Sequence, residues 1–127
     1  MKRILLPLAA IACLLAAAPA AHADDDPVKV DAKHYKVEFE NDAVRVLRIH
    51  YEAGEKSVMH SHPSAVAVYL TDVEVTMTYP DGKTEVLTGK AGGVQETRAG
   101  AHLPHNTGTK AMELILVELK PKAGTPK

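Results

Sequence analysis

Two short stretches of this chain carry side chains suited to holding a metal ion. The first is Gly54-Glu-Lys-Ser-Val-Met-His60-Ser-His62-Pro63, and the second is His102-Leu-Pro-His105-Asn106. Alternate residues of a β-strand point to the same face. His60 and His62 would therefore project together if their stretch is extended. A third imidazole arriving from a distant strand would complete a set of three neutral nitrogen ligands. Neutral imidazole suits zinc, copper, iron and nickel, whereas an all-oxygen set would suit magnesium or calcium. Three protein ligands also leave at least one coordination position open, a feature of reactive rather than purely structural sites.

The elements that must position these residues read as β throughout. Tyr35-Lys-Val-Glu-Phe-Glu40 alternates apolar and charged residues, and Ala43 to Tyr51 is rich in β-branched and aromatic ones. The alternation of the second stretch shifts phase near Leu47, which predicts a bulge. Ala65 to Thr71 is mostly apolar and reads as a strand buried on both faces, as does Glu113 to Leu119. Val73 to Tyr79 and Lys83 to Thr88 flank Pro80-Asp81-Gly82, a hairpin with suitable turn chemistry. Ala91-Gly92-Gly93 is a second turn. No segment sustains a helical period. Many short strands separated by turns predict an all-β sandwich or barrel.

The start of the chain reads as a secretory signal peptide over residues 1–23. Lys2 and Arg3 precede an apolar run from Ile4 to Ala18, and Ala21-His22-Ala23 has the form of a cleavage site. The apolar run is shorter than the roughly 20 residues of a spanning helix. An uncleaved anchor is the alternative, and Cys13 lacks the context of a lipid attachment site. Cleavage would leave 104 residues, Asp24 to Lys127, enough for one small domain. It would also remove the only cysteine, so that an internal disulfide is excluded. Loss of Lys2 and Arg3 moves the formal charge from −1 to −3. With no basic cluster, nucleic acid is not an expected partner. The expected location is periplasmic or secreted, with no stable membrane anchor after cleavage. Residues 24–33 and 121–127 read as flexible polar tails around a domain at 34–120.

These residues resemble the cupin superfamily. Gly54, then His60 and His62, looks like its first motif, and Pro80-Asp81-Gly82-Lys83 looks like the hairpin that follows in small members. Ala91-Gly92, then Ala99-Gly100-Ala101-His102 with Asn106, is similar to the second motif. The match runs across Val44 to Leu119. It implies a small antiparallel jelly-roll barrel with a metal site in its mouth. His60, His62 and His102 are then the implied ligands of one divalent transition metal, drawn from iron, zinc, manganese, copper and nickel. Gly54, Gly100 and Asn106 are the implied shape residues. Small members also often dimerise through edge strands, so a homodimer is an expectation here.

The chain departs from the motifs in ways that bear on chemistry. The first motif usually carries a Glu where Val66 or Ala67 stands here, so the ligand set would be neutral. The ion would keep its full charge and favour an anionic ligand. Arg98 stands where the second motif usually has Pro, and Glu96 where small members often have an aromatic residue. Arg98 and His105 are the candidate substrate-contacting residues, with an exposed strand end and a structural histidine as their ordinary alternatives. His34 and His50 read as surface residues, and Tyr69 as barrel filling. Three functions follow. One is a metal-dependent oxygenase, lyase or isomerase acting on a small oxygenated or anionic molecule. The second is a non-catalytic module that binds a metal or small ligand. The third is a structural cupin whose histidines no longer bind metal. Separately, His60 and His62 have an ordinary alternative as surface loop residues beside Pro63.

Overall fold

A computed structural model of the chain describes residues 25–122 and residue 124. The expected signal peptide at 1–23 and part of the 121–127 tail lie outside the described residues. One turn of helix, α1 (Pro27–Val30), is followed by nine strands. They are β1 (Tyr35–Glu40), β2 (Val44–Tyr51), β3 (His60–His62), β4 (Ala65–Tyr69), β5 (Val73–Thr78), β6 (Thr84–Gly89), β7 (Val94–Thr97), β8 (Gly100–Asn106) and β9 (Met112–Leu119). They form a five-stranded sheet in the order β1-β2-β9-β4-β7 and a four-stranded sheet in the order β3-β8-β5-β6. Every strand pairing is antiparallel, as a jelly-roll barrel requires.

The core lies between the two sheets. Leu47, Ile49 and Tyr51 of β2 face Val73 and Val75 of β5, with Met112 and Leu116 of β9 beside them in the buried cluster. Burying one such aliphatic side chain stabilises the fold by about 1.5–3 kcal/mol. The phase shift near Leu47 marks a real irregularity, but the extra residue belongs to the partner strand. Val37 pairs with Leu47 and Phe39 with Val46, so Glu38 of β1 is the unpaired residue. The Pro80-Asp81-Gly82 hairpin joins β5 to β6, and the Lys83 amide donates to the Asp81 carboxylate. Gly89 allows a close approach, since a Cβ there would lie 2.3 Å from a ring carbon of Tyr69.

Two expectations are corrected. β4 and β9 are central strands, but only their inner faces are fully covered. Ala65 and Ala67 are buried, whereas Val66 and Val68 on the outer face are half-buried, because no second layer packs there among the described residues. Residues 25–33, expected to be loose, are fastened to the domain. Pro27 is buried, and Asp26 caps α1 by accepting from the Val28 amide. The same carboxylate receives two nitrogens of Arg45 at 2.8 and 3.1 Å. Part of the polar composition of this stretch goes into ion pairs, at Asp26 and Lys33, while Lys29 stays exposed.

Candidate metal centre

The three histidines converge because two short strands pair in one register. β3 runs antiparallel to β8, with His60 opposite His102 and His62 opposite Gly100. Directly opposed residues on one face of such a pair lie side by side. His60 and His62, two residues apart, share that face. Ring centroids are 5.0 Å apart for His60–His102, 4.9 Å for His60–His62 and 5.3 Å for His62–His102. One ring nitrogen from each lies within 4.8 Å of the other two. The loops at the strand ends are tied by Asn106, whose buried amide reaches the carbonyls of Tyr51, Glu52 and Lys110. Gly54, at φ +79°, donates its amide to the Asn106 carbonyl, a left-handed conformation that suits glycine.

Hydrogen bonds behind the rings aim their lone pairs inward. His60 Nδ1 lies 2.8 Å from the Val58 carbonyl, which can only accept, so Nδ1 carries the proton. Its Nε2 is then an acceptor, and it is buried with no hydrogen-bond partner. His62 Nδ1 lies 2.6 Å from Glu118 Oε1, which fixes the same tautomer when the carboxylate is ionised. Burial pushes the His60 pKa down to about 4, with repulsion from His62 added. Burial also lowers His102 to about 3, and the other two imidazoles reinforce the shift. His60 and His102 are thus neutral near pH 7, the form in which imidazole binds metals. An orphaned buried nitrogen costs about 1–3 kcal/mol. A transition metal would satisfy it, so the residues present fit such an ion.

The carboxylate missing from the first motif has a counterpart elsewhere. Ala67, one of the two motif positions, faces inward and lines the barrel cavity with a methyl group. Val66, the other, faces outward. Glu118 arrives instead from β9 and stands behind His62, with Arg45 Nε 2.6 Å from its second oxygen. Burial opposes ionisation of Glu118, but the hydrogen bonds from His62 and Arg45 outweigh it and hold the pKa below the ordinary carboxylate range. A carboxylate behind a ligating imidazole orients the ring and raises its basicity. Nothing in the two motifs pointed to Glu118. Its only sequence signal is a charged residue in phase with the inward apolar positions Met112, Leu114 and Leu116, whereas Glu113 of the same strand is out of phase with them.

A second supporting group comes from the N-terminal segment. The Ser57 hydroxyl donates to Asp31 and lies 3.3 Å from His60 Nδ1. Asp31 also holds His34 Nδ1 at 2.8 Å, and Glu55 takes His34 Nε2 at 3.0 Å while pairing with Lys33. His34 is therefore buried, contrary to the surface reading. Its ring stacks on Tyr51 with centroids 4.1 Å apart. Tyr51 shares a 2.7 Å hydrogen bond with Tyr35, whose ring packs edge-on to His60 at 4.8 Å. His50 is exposed and pairs with Glu52, as expected.

A cavity of about 90 Å³ opens beside the histidines, lined by His62 and His102 at one end. Arg98 also lines it, at an exposed position, and no acid pairs with it among the described residues. His105 does not reach this space. It lies three residues from His102 on β8, opposite Thr76, and strand alternation turns it to the outer face. Glu96 is likewise turned outward, opposite Val66, while its neighbours Gln95 and Thr97 line the cavity.

Neither a protein-family model nor a curated protein matches this sequence. Solved structures do. A cupin domain from Bordetella pertussis Tohama I superposes with a TM-score of 0.63 at 20% identity, covering 68% of this chain and 92% of that one. An uncharacterised conserved protein with a double-stranded β-helix domain from Klebsiella pneumoniae gives a TM-score of 0.55 at 22% identity, covering 71% and 78%. An RmlC-like cupin family protein from Methanocaldococcus jannaschii gives 0.53 at 21% identity, covering 71% and 84%. At these identities the likeness establishes the fold, which is that of the cupins.

Proposed function

We propose that this cupin fold is an exported metal-binding domain. His60, His62 and His102 hold one divalent transition metal, and a small oxygenated anion completes the coordination. The observation that carries the reading is the buried, unpartnered Nε2 of His60, turned toward two further imidazoles. Glu118 and the Val58 carbonyl keep two of the rings in the ligating tautomer. A bound ion would supply Lewis acidity and an open coordination position. Arg98, with a planar fork that matches a carboxylate, attracts the anion to the mouth. On this reading the domain is a metal-dependent oxygenase, lyase or isomerase.

One observation favours a non-catalytic binding module instead. No Asp or Glu is among the described residues that line the cavity. Burial holds the Tyr35 and Tyr51 hydroxyls protonated, so neither serves as a ready base. Metal-dependent turnover separates the two readings, because the module binds without it.

The experiment uses untagged protein recovered from the cell envelope fraction. Intact mass should show a chain beginning at Asp24, and elemental analysis should show one transition metal per chain. His60→Ala, His62→Ala and His102→Ala should each lower occupancy strongly, while His50→Ala should not. A full-length or lipid-modified product would refute export. Unchanged metal content in all three variants would refute the site.

A further inference from the structure

The ligand that the cavity accepts can be narrowed by asking which of its wall atoms remain free to bind. The deep wall is aliphatic, formed by Ile49, Ala67, Val73, Val75, Met112 and Leu116. The hydroxyls among the walls are already paired within the protein. The Tyr35 and Tyr51 hydroxyls bond to each other at 2.7 Å. The Tyr69 hydroxyl donates to the Gln95 side-chain oxygen at 2.5 Å, and Thr97 Oγ1 donates to the Ala65 carbonyl. Three polar features are left to face a ligand, the histidine cluster, the Arg98 guanidinium and the amide nitrogen of Gln95, the last two at exposed positions away from the buried wall. A molecule carrying several hydroxyls, such as a sugar, would bury groups with no partner in this wall, which is unfavourable.

Resting on the metal reading above, we infer that the ligand class is a compact monocarboxylate with an apolar body. The carboxylate lies toward the metal and Arg98, and an aromatic or branched aliphatic body fills the barrel. The size follows from the space. A water-sized group needs about 10–15 Å³ of such volume. The 90 Å³ available therefore holds roughly six to nine heavy atoms. Each methylene buried there tightens binding roughly fourfold. A second charge on the body would have to be desolvated against Val75 and Leu116 and would be selected against.

The test titrates full mature protein loaded with zinc, by calorimetry, with acetate, 3-methylbutyrate, benzoate and succinate. Metal content is measured on the same samples. Benzoate and 3-methylbutyrate should bind at least about tenfold tighter than acetate, and succinate no tighter than acetate. Ala67→Leu fills the deep wall and should remove that advantage while leaving metal content unchanged. Should Ala67→Leu fail to fold, Leu87→Gln makes the partly buried wall polar and should cut the preference for benzoate over acetate. Arg98→Ala should weaken all four acids by a similar factor. A loaded protein that binds succinate best, or acetate as well as benzoate, overturns the inference and leaves the metal site standing. A protein that takes up no metal overturns the metal reading itself, and that result is visible before any acid is added.

Discussion

Ala67 is the residue at which this site departs furthest from the motif it resembles, and the structure shows what the departure does. Its side chain faces the cavity that His62 and His102 also line, while Val66 faces the outside of the barrel. A glutamate introduced at the two positions should therefore behave differently. Ala67→Glu points a carboxylate into the space before the imidazoles and, by adding an anionic ligand, should tighten metal binding by tenfold or more. It should also weaken binding of a carboxylate at the ion. Val66→Glu should change neither. Metal titration against a competing chelator reads both, and equal behaviour of the two variants would show that β4 is in another register. The three rings converge, and burial holds His60 and His102 neutral. The anionic group lies one layer back, at Glu118, where it bonds to His62 Nδ1 behind the ring.

Among the elements, the N-terminal turn and β9 matter more than their sequences announce. Arg45 of β2 ties them, contacting Asp26 ahead of α1 and Glu118 of β9. Glu118 is 2% exposed, so removing Arg45 leaves a buried carboxylate with His62 as its remaining partner. Breaking a buried pair costs about 3–5 kcal/mol. Arg45→Ala should fall near the lower end, because the guanidinium is itself partly exposed. Urea denaturation checks this, and a loss under about 1 kcal/mol would class the pair with ordinary surface bridges. The long strands were readable because burial on one face imposes alternation, as at Leu47, Ile49 and Tyr51 of β2. β7 and β8 were not read as strands, and β3 was taken as extended only from its His-x-His spacing. Three or four residues give too short a pattern, and Gly100-Ala-His-Leu-Pro104 resembles a loop. His60 and His62 were found through their two-residue spacing, and His102 through the second motif. Asp31 supports His60 through Ser57, a contact between residues far apart in sequence that local pattern does not encode.

For the molecule as a whole, the same burial that makes these imidazoles good ligands makes the metal-free fold sensitive to acid. His60 and His102 have folded-state pKa values of about 4 and about 3, against 6.5 for the free side chain. Between pH 6.5 and that range the unfolded chain binds more protons than the folded one. Stability therefore rises with pH across this window and is lost as pH falls through it. The depressed carboxylates act in the same direction at lower pH. Glu55, lowered to about 2 by hydrogen bonds from Lys33 and the Glu52 amide, favours the folded state above the ordinary carboxylate range and loses that effect as pH falls. A metal that binds only neutral imidazole adds its own dependence. At a free concentration of about 100 Kd it stabilises by about 2.7 kcal/mol. For a domain of this size that corresponds to a Tm rise of roughly 10 °C. Thermal melts of chelated and zinc-loaded protein from pH 7.5 to 4.5 should show two effects. The chelated Tm falls steadily below pH 6.5, and the gap between the two curves closes by about pH 5, since protons and metal compete for the same nitrogens. A chelated Tm that stays flat from pH 7 to 5 would mean that the rings are hydrated and the cluster open. A pH-dependent chelated Tm with no gap at pH 7.5 would leave the rings as buried core and remove the metal.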